Sequence, residues 1–270
     1  MSGRFYPGDR ARLAATVAAL LDEARTEAGS SPPALVRAVI APHAGYVYSG
    51  PTAAAVFARV ALPALIVILA PNHTGVCRAP GGVSLWEDGA FATPLGEVPV
   101  DASCAAAVRA ASPLVGVDHE AHRAEHAVEV LLPFLQVLRP DARIVPLVVA
   151  FDAWDRARAL GEALARVVAG AQEPVLLLAS SDLNHYEPAV VSERKDARAL
   201  AAVTALDGAE LLVRCRQERI SMCGRGPAAI VLAAARALGA TGAEVVDYRH
   251  SGWVSGDDSQ VVGYGGVVIA

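Results

Sequence analysis

Three short, largely apolar runs constrain this chain more than any other feature. They are "LVRAVIA" (35–41), "ALIVILA" (64–70) and "PVLLLAS" (174–180). None alternates apolar with polar residues, so each reads as a strand covered on both faces, as in a parallel sheet between helical layers. All are far too short to cross a bilayer. A fourth run, "RIVPLVV" (143–149), has the same character.

Helical stretches separate these strands. Residues 9–28 form an amphipathic pattern with Asp9 as N-cap and Gly29 as stop. Pro51 opens a helix over about 51–60, at the position where proline is favoured. Asp101 caps a helix through about 111, and 124–138 is helical in period but divided by Pro133. Further helices are expected over 153–169, about 190–205, 208–218 and 227–238. "SSPPA" (30–34) is a short loop, 75–100 is turn-rich with short strands, and "AEVVDYRH" and "SQVVGYGGVVIA" close the chain as strands. This alternation means an α/β fold with a central, largely parallel or mixed sheet flanked by helices. No linker, repeat or low-complexity tract interrupts it, so residues 1–270 read as a single domain.

Composition narrows the class further. The apolar fraction is 54%, but much of it is alanine, a strong helix former. The start, "MSGRFYPGDR", has no apolar signal region, so a cytoplasmic protein with no membrane association is expected. Net charge is −5, lysine occurs once (Lys195) and no basic block exists, which argues against a nucleic-acid partner. The cysteines, Cys77, Cys104, Cys215 and Cys223, form no CxxC pair and read as free thiols.

The chemical signal lies just past the end of each run. The first leads into Pro42-His43, the second into Pro71-Asn72-His73, and the third into Ser181-Asp182-Leu183-Asn184-His185. Open α/β sheets bind ligands beyond the carboxyl ends of their strands. If these three strands are parallel neighbours, their polar ends converge. One such histidine is ordinarily just a loop residue; three similar placements weigh against that. Cys223 precedes a predicted helix whose dipole, with Arg225, favours a thiolate, although a small buried cysteine is the plain alternative. Asn72 is placed to hydrogen-bond a ligand or the backbone, and Tyr46, Tyr48 and Tyr186 to line a pocket.

"HEAHRAEH" (119–126) spaces His122 and His126 four apart but lacks the HExxH order of a zinc protease helix. His119 and His122 read as solvated loop residues. Glu125, His126 and Glu129 read as groups supporting the site from outside its ligand set, and His250 as structural.

"GRFYPGDRARL", "APHAGYVYSG", "PNHTG", "EHAVEVLLPFLQ", "SSDLNHY", "CGRGP" and "SGWVSGDDSQVVGYGG" occur in order from about residue 3 to 268 and together resemble the Memo family, also called the AmmeMemoRadiSam system protein B family. That resemblance implies a fold shared with class III extradiol dioxygenases, which use non-haem Fe(II). Matched by motif, it implies His43 and His73 as metal ligands, Cys223 where the dioxygenases have a carboxylate, and His185 as acid/base beside Asp182. A thiolate in place of a carboxylate softens the site, so Fe(II) is expected first and copper or zinc remain open. The family's compound name implies AMMECR1-domain and radical-SAM partners.

Three functions are expected to compete. One is a metal-dependent oxidoreductase, with His185, oriented by Asp182, moving a proton. Another is a zinc-type hydrolase on the same ligands. The last is a non-catalytic module taking a small molecule or peptide in the same cleft.

Overall fold

A computed structural model describes residues 1–29 and 32–270. Ser30 and Ser31, at the start of the expected 30–34 loop, lie outside the described residues. The strands are β1 (Ala38–Ala41), β2 (Leu65–Pro71), β3 (Val83–Leu85), β4 (Ala90–Thr93), β5 (Gly96–Pro99), β6 (Val115–Val117), β7 (Arg143–Val149), β8 (Val175–Ser180), β9 (His185–Glu187), β10 (Ala243–His250) and β11 (Val261–Ile269). The helices are α1 (Arg10–Ala28), α2 (Tyr46–Phe57), α3 (Ala102–Ala111), α4 (Glu120–Arg123), α5 (Leu132–Leu138), α6 (Trp154–Ala169), α7 (Ala189–Thr204), α8 (Gly208–Gln217), α9 (Arg225–Ala237) and α10 (Gly252–Ser255).

The main sheet runs β10-β11-β1-β8-β2-β7-β3-β6, with β9 added along β11. β1, β8, β2 and β7 are mutually parallel, whereas β11 and β3 flank them antiparallel. The sheet is therefore mixed with a parallel centre. Both faces of that centre are buried. Ile40, Val67 and Leu69 point into one core, packed with α6, α8 and α9, while Val39, Ile66 and Ile68 point into the other, packed with α1, α2 and α5. That is why these runs are continuously apolar rather than alternating. Close helix packing tightens the first core: a Cβ on Gly161 of α6 would lie 2.6 Å from the Ile230 carbonyl of α9. Among the described residues, no helix is long and apolar enough to span a membrane.

Several local expectations hold. Asp9 accepts from the Arg12 amide at 2.9 Å and Asp101 from that of Cys104 at 2.8 Å, each N-cap contributing about 1 kcal/mol. Two helix starts differ, and β1 begins at Ala38 rather than at residue 35. α2 begins at Tyr46, not Pro51, because the Tyr46 amide donates to the Phe5 carbonyl and Gly45 serves as N-cap. Pro51 then falls inside the helix, where its missing N–H faces Val47, a residue on the exposed side. The expected helix over 124–138 forms only from Glu129, as a 3₁₀ turn running into α5 with Pro133 in its first turn. Residues 124–128 instead turn away from α4, which redirects His126.

Candidate metal centre

The order β1-β8-β2 puts the three expected strands side by side and parallel, so their carboxyl ends share one edge. Ala41 pairs with Ser180 across β1 and β8, which sets Ser180 under the loop carrying His43. The His43 ring is buried, and its Nδ1 lies 2.7 Å from Ser180 Oγ. That hydroxyl already donates to the Ala127 carbonyl at 2.6 Å, so His43 Nδ1 must carry the proton and Nε2 is left bare. His73 is held the same way. Its Nδ1 donates to Glu125 Oε1 at 2.8 Å and its amide to Oε2 at 2.7 Å, leaving Nε2 free on a ring about a third exposed.

His126 completes the cluster. Its ring stacks on His73 with centroids 4.6 Å apart and meets His43 edge-on at 5.3 Å. One ligand nitrogen from each of His43, His73 and His126 lies within 4.8 Å of the other two. Phe5 backs His126 in turn, its ring stacked at 4.6 Å. Burial, then the charge of neighbouring imidazoles, pushes His43 down to about 3 and His126 to about 4, so both rings are neutral near neutral pH. Burial alone would raise Glu125, but the hydrogen bonds and charge of His73 hold it down to about 2.

Cys223 Sγ lies 3.4 Å from His43 Nε2. Two donors bound to one zinc-sized ion at usual N and S distances sit roughly 3.5 Å apart, so this spacing fits a shared metal. The expected thiolate is corrected: burial first, then the Asp182 carboxylate, raise the Cys223 thiol well above its ordinary value, outweighing the helix end. The Cys223 sulfur therefore needs a cation beside it to ionise. The bare nitrogens make a donor set for a transition metal, but the mutually close group is the three imidazoles, and Cys223 joins it through His43 alone.

Other expected residues sort themselves. Asp182 is buried and accepts the His43 amide at 2.8 Å, while its own amide donates to Cys223 Sγ at 3.2 Å. It holds His43 and Cys223 in place rather than orienting His185. His185 is instead set by Ser221: its amide donates to Ser221 Oγ at 2.8 Å and Nδ1–H to the Ser221 carbonyl at 3.0 Å, leaving Nε2 bare. Asn72 spends its side chain on its own loop, accepting from Gly75 and Thr74 and donating to Val76. Tyr46 is buried, donates to the Val130 carbonyl and packs its ring on Tyr6, and Glu129 accepts from the Tyr6 hydroxyl, so both meet the N-terminal segment instead of the site. Tyr48 and Tyr186 are exposed, Tyr186 with a positive φ of 59°. Tyr264 on β11, not anticipated, is buried with Asp182, Tyr48 and Tyr186 as electrostatic neighbours. His122 is not solvated: it is buried and hydrogen-bonds the Ser84 carbonyl at 2.9 Å. His119 stacks on Trp86 at 4.4 Å. His250 is buried at the end of β10, as a structural residue should be.

The Memo-like protein family model matches residues 1–268. The chain belongs to the Memo family. Among its Memo relatives, a MEMO1 family protein of Methanopyrus kandleri is 39% identical, covering 99% of this chain and 96% of the relative. Another from Aquifex aeolicus is 37% identical over 99% of this chain and 97% of its own length. A third, from Aeropyrum pernix, is 39% identical over 97% and 95%. This Memo chain thus carries the cluster of His43, His73 and His126, with Cys223 against His43, at the shared edge of β1, β8 and β2.

Proposed function

We propose that this protein is a non-haem metal-dependent oxidoreductase whose ion, Fe(II) before copper, is held by His43, His73 and Cys223. The observation that supports it is the bare Nε2 of His43, fixed by Ser180, facing both the Cys223 sulfur and the other imidazoles. His126 stands within reach as a further donor. The bound ion would supply a redox-active Lewis acid beside an open cavity.

The protein's own groups do the rest. Glu125 and Ser180 hold the two ligand rings in one tautomer, so neither must reorient when an ion arrives. His185, with Nδ1–H committed to Ser221, presents Nε2 as the proton acceptor and returns that proton later. Burial raises the Asp182 carboxyl, while the His43 amide and the neighbouring imidazoles oppose that shift.

Elemental analysis of protein purified without oxygen tests this. Iron near one equivalent is expected, lost in His43→Ala and reduced in Cys223→Ser. Equal metal in wild type and Cys223→Ser would remove the sulfur from the ligand set, and redox-silent stoichiometric zinc would favour a hydrolase.

A further inference from the structure

We propose that the cavity beside His73 and Cys223 binds a small monocarboxylate, its charged end on Arg225 and its apolar body toward His73. This deepens the metal-centre reading, on which it rests for the orientation of the bound molecule.

The cavity has a volume of about 530 Å³, in the size range of metabolite sites. His73, Cys223 and Arg225, the last at the start of α9, all line it. Pro71, Val149 and Phe151 supply apolar wall. A molecule anchored at Arg225 therefore extends its body toward the candidate ligands.

Arg225 is prepared for an anion. Its Nε donates to Asp152 Oδ2 at 2.7 Å, and neither Nη has a hydrogen-bond acceptor among the described residues. The guanidinium remains 39% exposed. Its free edge offers the two parallel N–H donors that match a carboxylate. The ion pair is not needed to clamp α9 in place. Gly226 already presses on the Phe151 carbonyl, which an added Cβ would overlap. Asp152 thus steadies the guanidinium and leaves its outer edge for a ligand.

Charge selects within the anions. The Nη edge of Arg225, which Asp152 leaves open, favours an anion over a cation. Asp152 beside the binding edge disfavours a dianionic phosphate. A single negative charge on a compact apolar body suits all these groups.

The test titrates the full chain, its metal content measured separately, with benzoate, benzamide, benzylamine and inorganic phosphate, following binding by calorimetry and ligand-observed NMR. Benzoate is expected to bind at least about tenfold more tightly than uncharged benzamide. Arg225→Met should abolish that preference and Arg225→Lys retain part of it. Asp152→Asn should tighten benzoate, which a merely structural ion pair would not produce, and it serves if Arg225→Met fails to fold. Equal binding of benzoate and benzamide, a preference for benzylamine or phosphate, no binding of any probe, or no tightening in Asp152→Asn would overturn the proposal. Metal-free protein that still prefers benzoate would defeat the metal reading alone, and iron-loaded protein without the preference would defeat this one alone.

Discussion

The imidazole of His73 donates from Nδ1 to a fully buried carboxylate, Glu125 Oε1, at 2.8 Å, and the same carboxylate takes the His73 amide. One acidic side chain thus sets the ring's tautomer, its orientation and the turn that carries it. Partners of this kind ordinarily change metal affinity about 10–100-fold when removed. Glu125→Gln should therefore weaken Co(II) binding by roughly tenfold or more, read by optical titration, while far-UV circular dichroism stays native. Glu129→Gln, which touches Tyr6 and not the imidazoles, should leave Co(II) affinity within about twofold. Equal effects of the two changes would remove the special role of Glu125.

Ionisation of Cys223 should be visible as a proton. Burial and Asp182 keep the thiol protonated in the metal-free protein near neutral pH, and His43 and His126 are already neutral there. A thiol that ligates must lose its proton. Zn(II) uptake at about pH 7.5, followed by calorimetry in buffers of different ionisation enthalpy, should release about one proton from wild type and about none from Cys223→Ser. Identical release from both would mean that the sulfur stays protonated and outside the coordination sphere.

His122 should make stability depend on pH. Burial lowers it from the ordinary 6.5 to about 4, despite the hydrogen bond to the Ser84 carbonyl. Between those values the unfolded chain binds a proton that the folded chain excludes. The contribution is complete above about pH 6.5 and drains away as pH falls toward 4, by about 3 kcal/mol. His122→Gln keeps a donor for Ser84 without titrating. Urea midpoints of wild type and His122→Gln should therefore converge or cross on acidification from about pH 7.5 to about pH 4, wild type losing more. Parallel pH profiles would contradict the burial of this ring.

Much of this arrangement is legible in the residues. Continuous apolar runs ending in Pro-His, Pro-Asn-His and Ser-Ser-Asp-Leu-Asn-His announce strand ends on one sheet edge, because each run is short, β-rich and covered on both faces. Strand order is not legible: nothing local says that β8 lies between β1 and β2, although that neighbourhood brings Ser180 beneath His43. His126 is hidden by a periodicity that suggests helix through 124–138, whereas the break after α4 turns it into the cluster. The Cys223 thiol misleads because a helix end is a local cue, and the burial and Asp182 carboxylate that outweigh it are tertiary. Tyr46 and Glu129 resemble site residues through proximity in sequence, but both face the N-terminal segment.

Gly224 joins fold to site most directly. It is the N-cap of α9, next to Cys223, and its amide donates to Ser181 Oγ at 3.0 Å. A Cβ there would overlap both the Ser180 carbonyl oxygen and Ser181 Cβ. Backbone cannot give way at that contact without separating α9 from the end of β8. Gly224→Ala should then cost about 1–3 kcal/mol, as overpacking generally does, and carry Cys223 away from His43. Urea denaturation and metal analysis of one preparation check both consequences. Lost stability is expected together with lost thiolate-to-Co(II) charge-transfer absorption, since the same contact sets helix packing and sulfur position. Native stability with a lost charge-transfer band would separate the two roles, and a native band with lost stability would show that the sulfur is positioned by something other than the close approach at Gly224.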